Sequence, residues 1–170
     1  SMRKLPQAEH SLTKASKVDP LFPSVWFHLG TVHSALGQQE QAISDLNRCI
    51  DLKPDYANAY FARGATFGRM GRLDEAIADF SATLQLEPTH KQAIFNRGAT
   101  YAIMRRHDLA VVDLQLALKA MPGNADGWLF LGRSQLALQN NAAACASFQK
   151  ASALNSPKAA DLIAKHCVSK

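Results

Sequence analysis

The stretch LDEAIADFSATLQLEP, Leu73–Pro88, recurs in outline along the chain. QEQAISDLNRCIDLKP ends at Pro54 and HDLAVVDLQLALKAMP at Pro122, each 34 residues away (88 − 54 = 122 − 88 = 34). LPQAEHSLTKASKVDP ends at Pro20, one period further upstream (54 − 20 = 34), and NAAACASFQKASALNS closes the series at Ser156. A fixed period of this size signals like units stacked on one another, none of which buries its apolar surface alone. Within one period, Tyr60, Phe61, Gly64 and Phe67 share one side of a first helix, and Ala76, Phe80, Thr83 and Leu84 share one side of a second. Between them, Met70–Arg72 makes the turn, where Gly71 is free to take the left-handed conformation. Pro88 ends the second helix because it cannot continue the hydrogen-bond ladder. No run of alternating β-branched residues suggests a strand, so the expected fold is all-α.

These residues resemble the tetratricopeptide-repeat family. Its pattern is an aromatic, Leu-Gly two residues on and a second aromatic, followed later by Ala, an aromatic and Pro. Trp26, Leu29, Gly30, Ala42, Leu46 and Pro54 fill it first, then Tyr60, Gly64, Phe67, Ala76, Phe80 and Pro88. Ile94, Gly98, Tyr101, Ala110, Leu114 and Pro122 follow, and then Trp128, Leu131, Gly132, Ala144 and Phe148. The departures are His33 and Gln135 in the second aromatic slot, Arg63 and Arg97 in the Leu slot, Arg105 and Gln139 for the turn glycine, and Ser156 for the last proline. The match spans residues 3 to 156. It implies a right-handed superhelical solenoid of antiparallel helix pairs with a concave groove.

The pattern also makes physical sense. Gly30, Gly64, Gly98 and Gly132 remove bulk where two helices of a hairpin approach, and Ala42, Ala76, Ala110 and Ala144 do so from the other side. Trp26, Tyr60, Ile94 and Trp128 are expected as large knobs between them. The resulting division is 1–2 as a scar of expression, 3–20 as the second helix of a truncated repeat, repeats at 23–56, 57–90, 91–124 and 125–156, and a capping helix at 157–168. Ser156-Pro157 suits a helix start, with Ser as cap and Pro in the first turn. The first helix lacks a hairpin partner over Leu5, Leu12 and Val18, so the chain is expected to begin inside a longer array and to self-associate there.

Composition narrows the function. The net charge is +5, yet residues 21–139 hold eleven bases and eleven acids, and the excess lies at the two ends. A nucleic-acid reader concentrates its bases on one face, so nucleic acid is not expected as a partner. No apolar run approaches the ~20 residues of a membrane span, and no membrane partner is expected. Cys49, Cys145 and Cys167 have no CxxC or HxxxH company and are read as small buried side chains rather than a disulfide or metal site. That points to an intracellular, cytoplasmic protein. His28 and His33 lie five apart on different faces, and no histidine forms HExxH or a recognisable nucleophile–base spacing. Neither catalysis, nor a cofactor, nor a metal is expected.

Arg63 and Arg97 stand in apolar slots, while Asp45, Asp79 and Asp113 recur at the same period. They are read as half-buried ion pairs tying one repeat to the next. Helical geometry aims one row, Phe27, Phe61, Phe95 and Leu129, into the groove. His28, Ala62, Asn96 and Phe130 run beside it, then Thr31, Ala65, Ala99 and Arg133, with Arg69 and Ile103 further along. The resemblance also offers a test, the carboxylate clamp by which some such domains hold the acidic tails of heat-shock chaperones. Its slots hold Phe27, Thr31, Ala62, Gln92 and Asn96 here, or Phe61, Ala65, Asn96, Asp126 and Phe130 one repeat later, and only Asn96 matches. A groove lined by successive asparagines is missing as well. The function expected is a protein–protein scaffold or adaptor, holding a peptide or helix in its groove around Phe61 and Phe95. The alternatives are a substrate-recruiting arm of a larger enzyme, or a chaperone-associated adaptor without the carboxylate clamp in this segment.

Overall fold

The computed structural model describes residues 5–167; Ser1, Met2, Arg3, Lys4 and Val168, which figure in the division above, lie outside that range. The described residues form ten helices and no strand: α1 (Leu5–Val18), α2 (Pro23–Ala35), α3 (Gln39–Leu52), α4 (Ala57–Arg69), α5 (Leu73–Leu86), α6 (Lys91–Ile103), α7 (His107–Ala120), α8 (Ala125–Ala137), α9 (Asn141–Ala153) and α10 (Pro157–His166). The chain divides after Pro88 into two compact units.

In the first unit, α2 with α3 and α4 with α5 make the two hairpins, with α1 against α2 and α3 against α4. In the second, α6 with α7 and α8 with α9 pair in the same way, α7 packs on α8, and α10 closes on α9. The small residues explain how close the pairs come. A Cβ on Gly30 would lie 2.6 Å from Leu46 Cγ, and one on Gly132 would lie 2.5 Å from the Phe148 ring. Ala42, Ala76, Ala110 and Ala144 are fully buried on the facing helices. The turn slot that is glycine in the first unit keeps its left-handed backbone in the second, where Arg105 (φ 60°) and Gln139 (φ 61°) occupy it. α1 rests on α2, with Glu9 Oε1 3.4 Å from His33 Nε2. Leu5 and Leu12 are half-buried there, whereas Val18 is 85% exposed.

The two tryptophans are not enclosed knobs. Both are half-buried, and each indole N–H reaches back six residues to a proline carbonyl, Trp26 to Pro20 at 2.9 Å and Trp128 to Pro122 at 2.8 Å. An indole carries a donor that needs a partner, and the turn preceding its own helix supplies one. At the start of α10, Pro157 takes the first turn as expected, but Ser156 makes no side-chain capping bond.

The acid row is paired within hairpins, not between repeats. Arg63 binds Asp79, and Arg97 binds Asp113 through Nε and Nη2 at 2.7 and 2.9 Å, each from the first helix of a hairpin to its own second helix. Asp45, one period earlier, instead meets His33 Nδ1 at 2.5 Å. At the fourth position of the row, Ser147 Oγ lies 2.7 Å from Gln135 Oε1. Two solutions occur, one in the outer two hairpins and one in the inner two. Where the Leu slot holds Leu29 or Leu131, the polar partner comes from the second aromatic slot; where that slot keeps Phe67 or Tyr101, an arginine in the Leu slot supplies it. Either way a buried polar group on the second helix is satisfied by its own hairpin, which is what burial demands.

Cys145 and Cys167 form a disulfide that joins α9 to the end of α10, in place of the two small buried thiols expected. The sequence separation of 22 gave no motif, because this pairing depends on how α10 turns back. Cys49 is a buried free thiol as expected, its pKa pushed up to about 11 chiefly by burial.

Candidate functional site

The first helices of each unit carry the residues read as groove-lining. In the first unit, α2 and α4 flank a cavity of about 350 Å³ lined by Phe27, Thr31, Phe61, Ala62, Ala65 and Arg69. Six expected residues therefore meet at one site, with Ser34, Ala35 and Asn58 completing the wall. The phenylalanines are half-buried and do two things at once. Phe27 stacks on Tyr56 with ring centres 5.2 Å apart, and Phe61 lies 5.9 Å from the Phe80 ring. Their remaining faces border the cavity. Arg69 is held in place: Nη2 donates to Ser34 Oγ, and to Thr66 Oγ1 at 3.3 Å. Thr31 spends its hydroxyl on the His28 carbonyl at 2.8 Å, so it offers the cavity mainly its methyl group. His28 is exposed beside Phe27 and is not part of the lining.

In the second unit the row diverges. Phe95 packs half-buried against the core around Ala110 and Leu114. Asn96 and Ala99 are half-buried and border no cavity among those described. Leu129, expected in the groove, is only 6% exposed and belongs to the core with Phe148 of α9 and Ala159 of α10, which cover it. Phe130 and Arg133 do come together, with Ile103, Arg105, His107 and Ser134, around a cavity of about 550 Å³ between α6 and α8. Arg105 carried a signal in the sequence, as a charged residue in a turn slot that suits glycine.

A third cavity, of about 590 Å³, opens on α7, α8 and α9, where Lys150 Nζ sits 4.2 Å from the Trp128 ring centre. Lys119 and Gln115 border it, so the side away from the first-helix row is not featureless. No single stretch announces it, since its lining comes from three helices. Among the described residues no group of three His, Cys, Asp or Glu is placed to hold a metal ion. No helix there is long and apolar enough to cross a membrane.

Comparison with known proteins bears on the family. A model described as "TPR repeat" matches residues 34–71, and one described as "Tetratricopeptide repeat" matches residues 57–90. Residues 34–90 therefore match tetratricopeptide repeats. Comparison with curated proteins gives no match. Among solved structures, a crystal structure of MamA superposes with TM-score 0.83 at 22% identity, covering 91% of each chain. MamA from Desulfovibrio magneticus RS-1, from residue 41 to its end, gives 0.75 at 20% identity over 78% of this chain and 75% of that one. PilW, titled a widely conserved type IV pilus biogenesis factor, gives 0.77 at 25% identity over 89% of this chain and 70% of that one. These likenesses establish the helical-repeat solenoid fold. Repeats of this kind generally serve as protein-interaction scaffolds, typically without catalysis.

Proposed function

We propose that this protein is a scaffold that holds a peptide or helix of a partner protein against the exposed faces of its first helices. The observation that supports this is the cavity between α2 and α4. Small Ala62 and Ala65 leave room beside Phe27 and Phe61, and a fixed guanidinium, Arg69, stands at the edge. An apolar side chain inserted there gains contact with two aromatic faces, while Arg69 orients its backbone or a neighbouring polar group. Anchors seated in such pockets usually carry most of an interface's energy.

Phe61→Ser alone is an ambiguous test, because Phe61 also packs on Phe80. Ala65→Glu places a long charged chain in the cavity without removing core. It is expected to weaken capture of partners from the native host at least ~30-fold, about 2 kcal/mol, with helical content unchanged. Gln85→Glu, on the exposed side of α5, is the control and should capture as wild type does. Full capture by the Ala65→Glu protein would sink the reading. The compartment follows the same logic of inference: a Cys145–Cys167 disulfide fits an oxidising environment better than the reducing cytoplasm expected at first.

A further inference from the structure

We infer that the exposed loop between α1 and α2 of one copy of this chain seats in the cavity among α7, α8 and α9 of a second copy. The inference goes beyond the scaffold reading and does not rest on it, because it concerns the second-helix side and an occupant of the same sequence.

The loop is the first observation. Val18, Leu21 and Phe22 are 85%, 67% and 54% exposed, three large apolar side chains close together in one short connection. One, two and three periods later, the slots of Leu21 and Phe22 hold Asp55-Tyr56, Thr89-His90 and Gly123-Asn124. Asp55, Thr89 and Gly123 are exposed as well, so the slot of Leu21 faces solvent at each of these junctions, and Leu21 is the large apolar residue among them. Phe22 also forgoes a local task. It stands at the N-cap of α2 and makes no side-chain capping bond, whereas His90 and Asn124 in that slot accept from the Ala93 and Gly127 amides. Tyr56, the remaining counterpart, stacks on Phe27. An apolar residue at a cap gives up stability that a capping side chain supplies, and a cluster of exposed apolar residues marks a surface that something covers.

The receiving cavity is the second observation. It holds about 590 Å³, where a void of about 150 Å³ already admits benzene, so Leu21 and Phe22 fit together. Ala143 and Ala146 leave that room, since the same slots one period earlier carry Leu109 and Val112. Trp128 and Leu131 give it apolar walls.

Charge selects this loop as the occupant. Lys119 and Lys150 border the cavity and no acid lines it. Asp19 is exposed between Val18 and Leu21, with Oδ1 accepting from the Leu21 amide. Apolar anchors around one carboxylate thus meet an apolar cavity flanked by two ammonium groups, a match in both hydrophobicity and sign. The loop and the cavity are different patches of the surface, so each can be disabled in a separate copy.

The test is sedimentation velocity on the whole chain from about 5 µM to about 0.5 mM. Wild type should associate as concentration rises. Leu21→Thr/Phe22→His writes into the loop the pair found at Thr89-His90, and Ala143→Leu/Ala146→Val writes into α9 the residues of Leu109 and Val112, so both variants keep sequences this fold already uses. Each alone should associate at least about 30-fold more weakly than wild type, with helical content unchanged. An equimolar mixture should recover association limited to pairs, since one variant keeps the cavity and the other keeps the loop. Asp19→Asn should weaken association about threefold, whereas Lys17→Gln, which removes a neighbouring exposed charge of the other sign, should not weaken it. Wild type that remains a single chain at the highest concentration overturns the inference. So does a mixture that associates no better than its components, which would place the contact elsewhere on the chain. Ala65→Glu should associate as wild type does, so failure of the scaffold reading and failure of this one are read separately.

Discussion

Arg63 forks onto Asp79, Nε to Oδ2 at 2.8 Å and Nη2 to Oδ1 at 2.7 Å, so the whole acid of one helix is matched by the guanidinium of its hairpin partner. The remaining donor, Nη1, crosses to Asn47 Oδ1 of the preceding hairpin at 2.6 Å. The guanidinium therefore closes its own hairpin with two charged bonds and touches the preceding one with a third. Hydrogen bonding to Asp79 raises the Arg63 pKa further, against the pull of burial.

Asp79→Ala should accordingly destabilise the fold by about 1–3 kcal/mol, because a guanidinium with 20% exposure is left without its acid. Asp161→Ala, on exposed α10, should stay within about 0.5 kcal/mol. Coincident urea melts for the two would show that Arg63 finds solvent as easily as it finds Asp79.

Asp45 behaves in the opposite sense. Its pKa is raised, mainly by burial, with the His33 hydrogen bond and charge offsetting part of the effect. A carboxyl that holds its proton more tightly folded than unfolded makes folding take up a proton just above the ordinary carboxylate range. The associated stability is present below the unfolded pKa of about 3.9 and is lost as pH rises through the folded value. Asp45→Asn removes this linkage and can still bond His33. The variant's stability relative to wild type should therefore rise between pH 4 and pH 7, measured by urea unfolding at both; a fall over that interval would reverse the sign of the argument.

Reduction of Cys145–Cys167 should lower stability. The bond closes a loop with a sequence separation of 22, for which constraint of the unfolded chain is worth about 3 kcal/mol. The Cys145→Ser/Cys167→Ser protein should melt lower and show no response to dithiothreitol, while wild type responds. Thiol titration of the untreated, denatured protein should find one free group, Cys49; three would mean the bond does not form in solution.

Gly98→Ala should cost about 1–3 kcal/mol, because its Cβ would lie 2.9 Å from Asp113 Cβ and 3.1 Å from the Leu114 amide nitrogen. Gly123→Ala has nothing within 4 Å and should be close to neutral in the same thermal melt.

The repeat, its two helices and the close-packed Gly–Ala contacts were legible in the sequence because each depends on local spacing. A period of 34 residues places Gly30, Gly64, Gly98 and Gly132 in equivalent surroundings wherever the hairpins lie. That six residues from Phe27 to Arg69 share one cavity follows from the same local spacing, since helical geometry puts them on one face of α2 and α4. What the spacing left open was the choice of partner. Asp79 is 16 residues from Arg63 and Asp45 is 18, and only the packing of each first helix on its own second helix selects the former. The same packing turned Leu129 inward while leaving Phe130 at a cavity. The Cys145–Cys167 bond and the pocket around Trp128 belong to tertiary structure alone, because they join residues on separate helices whose approach no local pattern encodes.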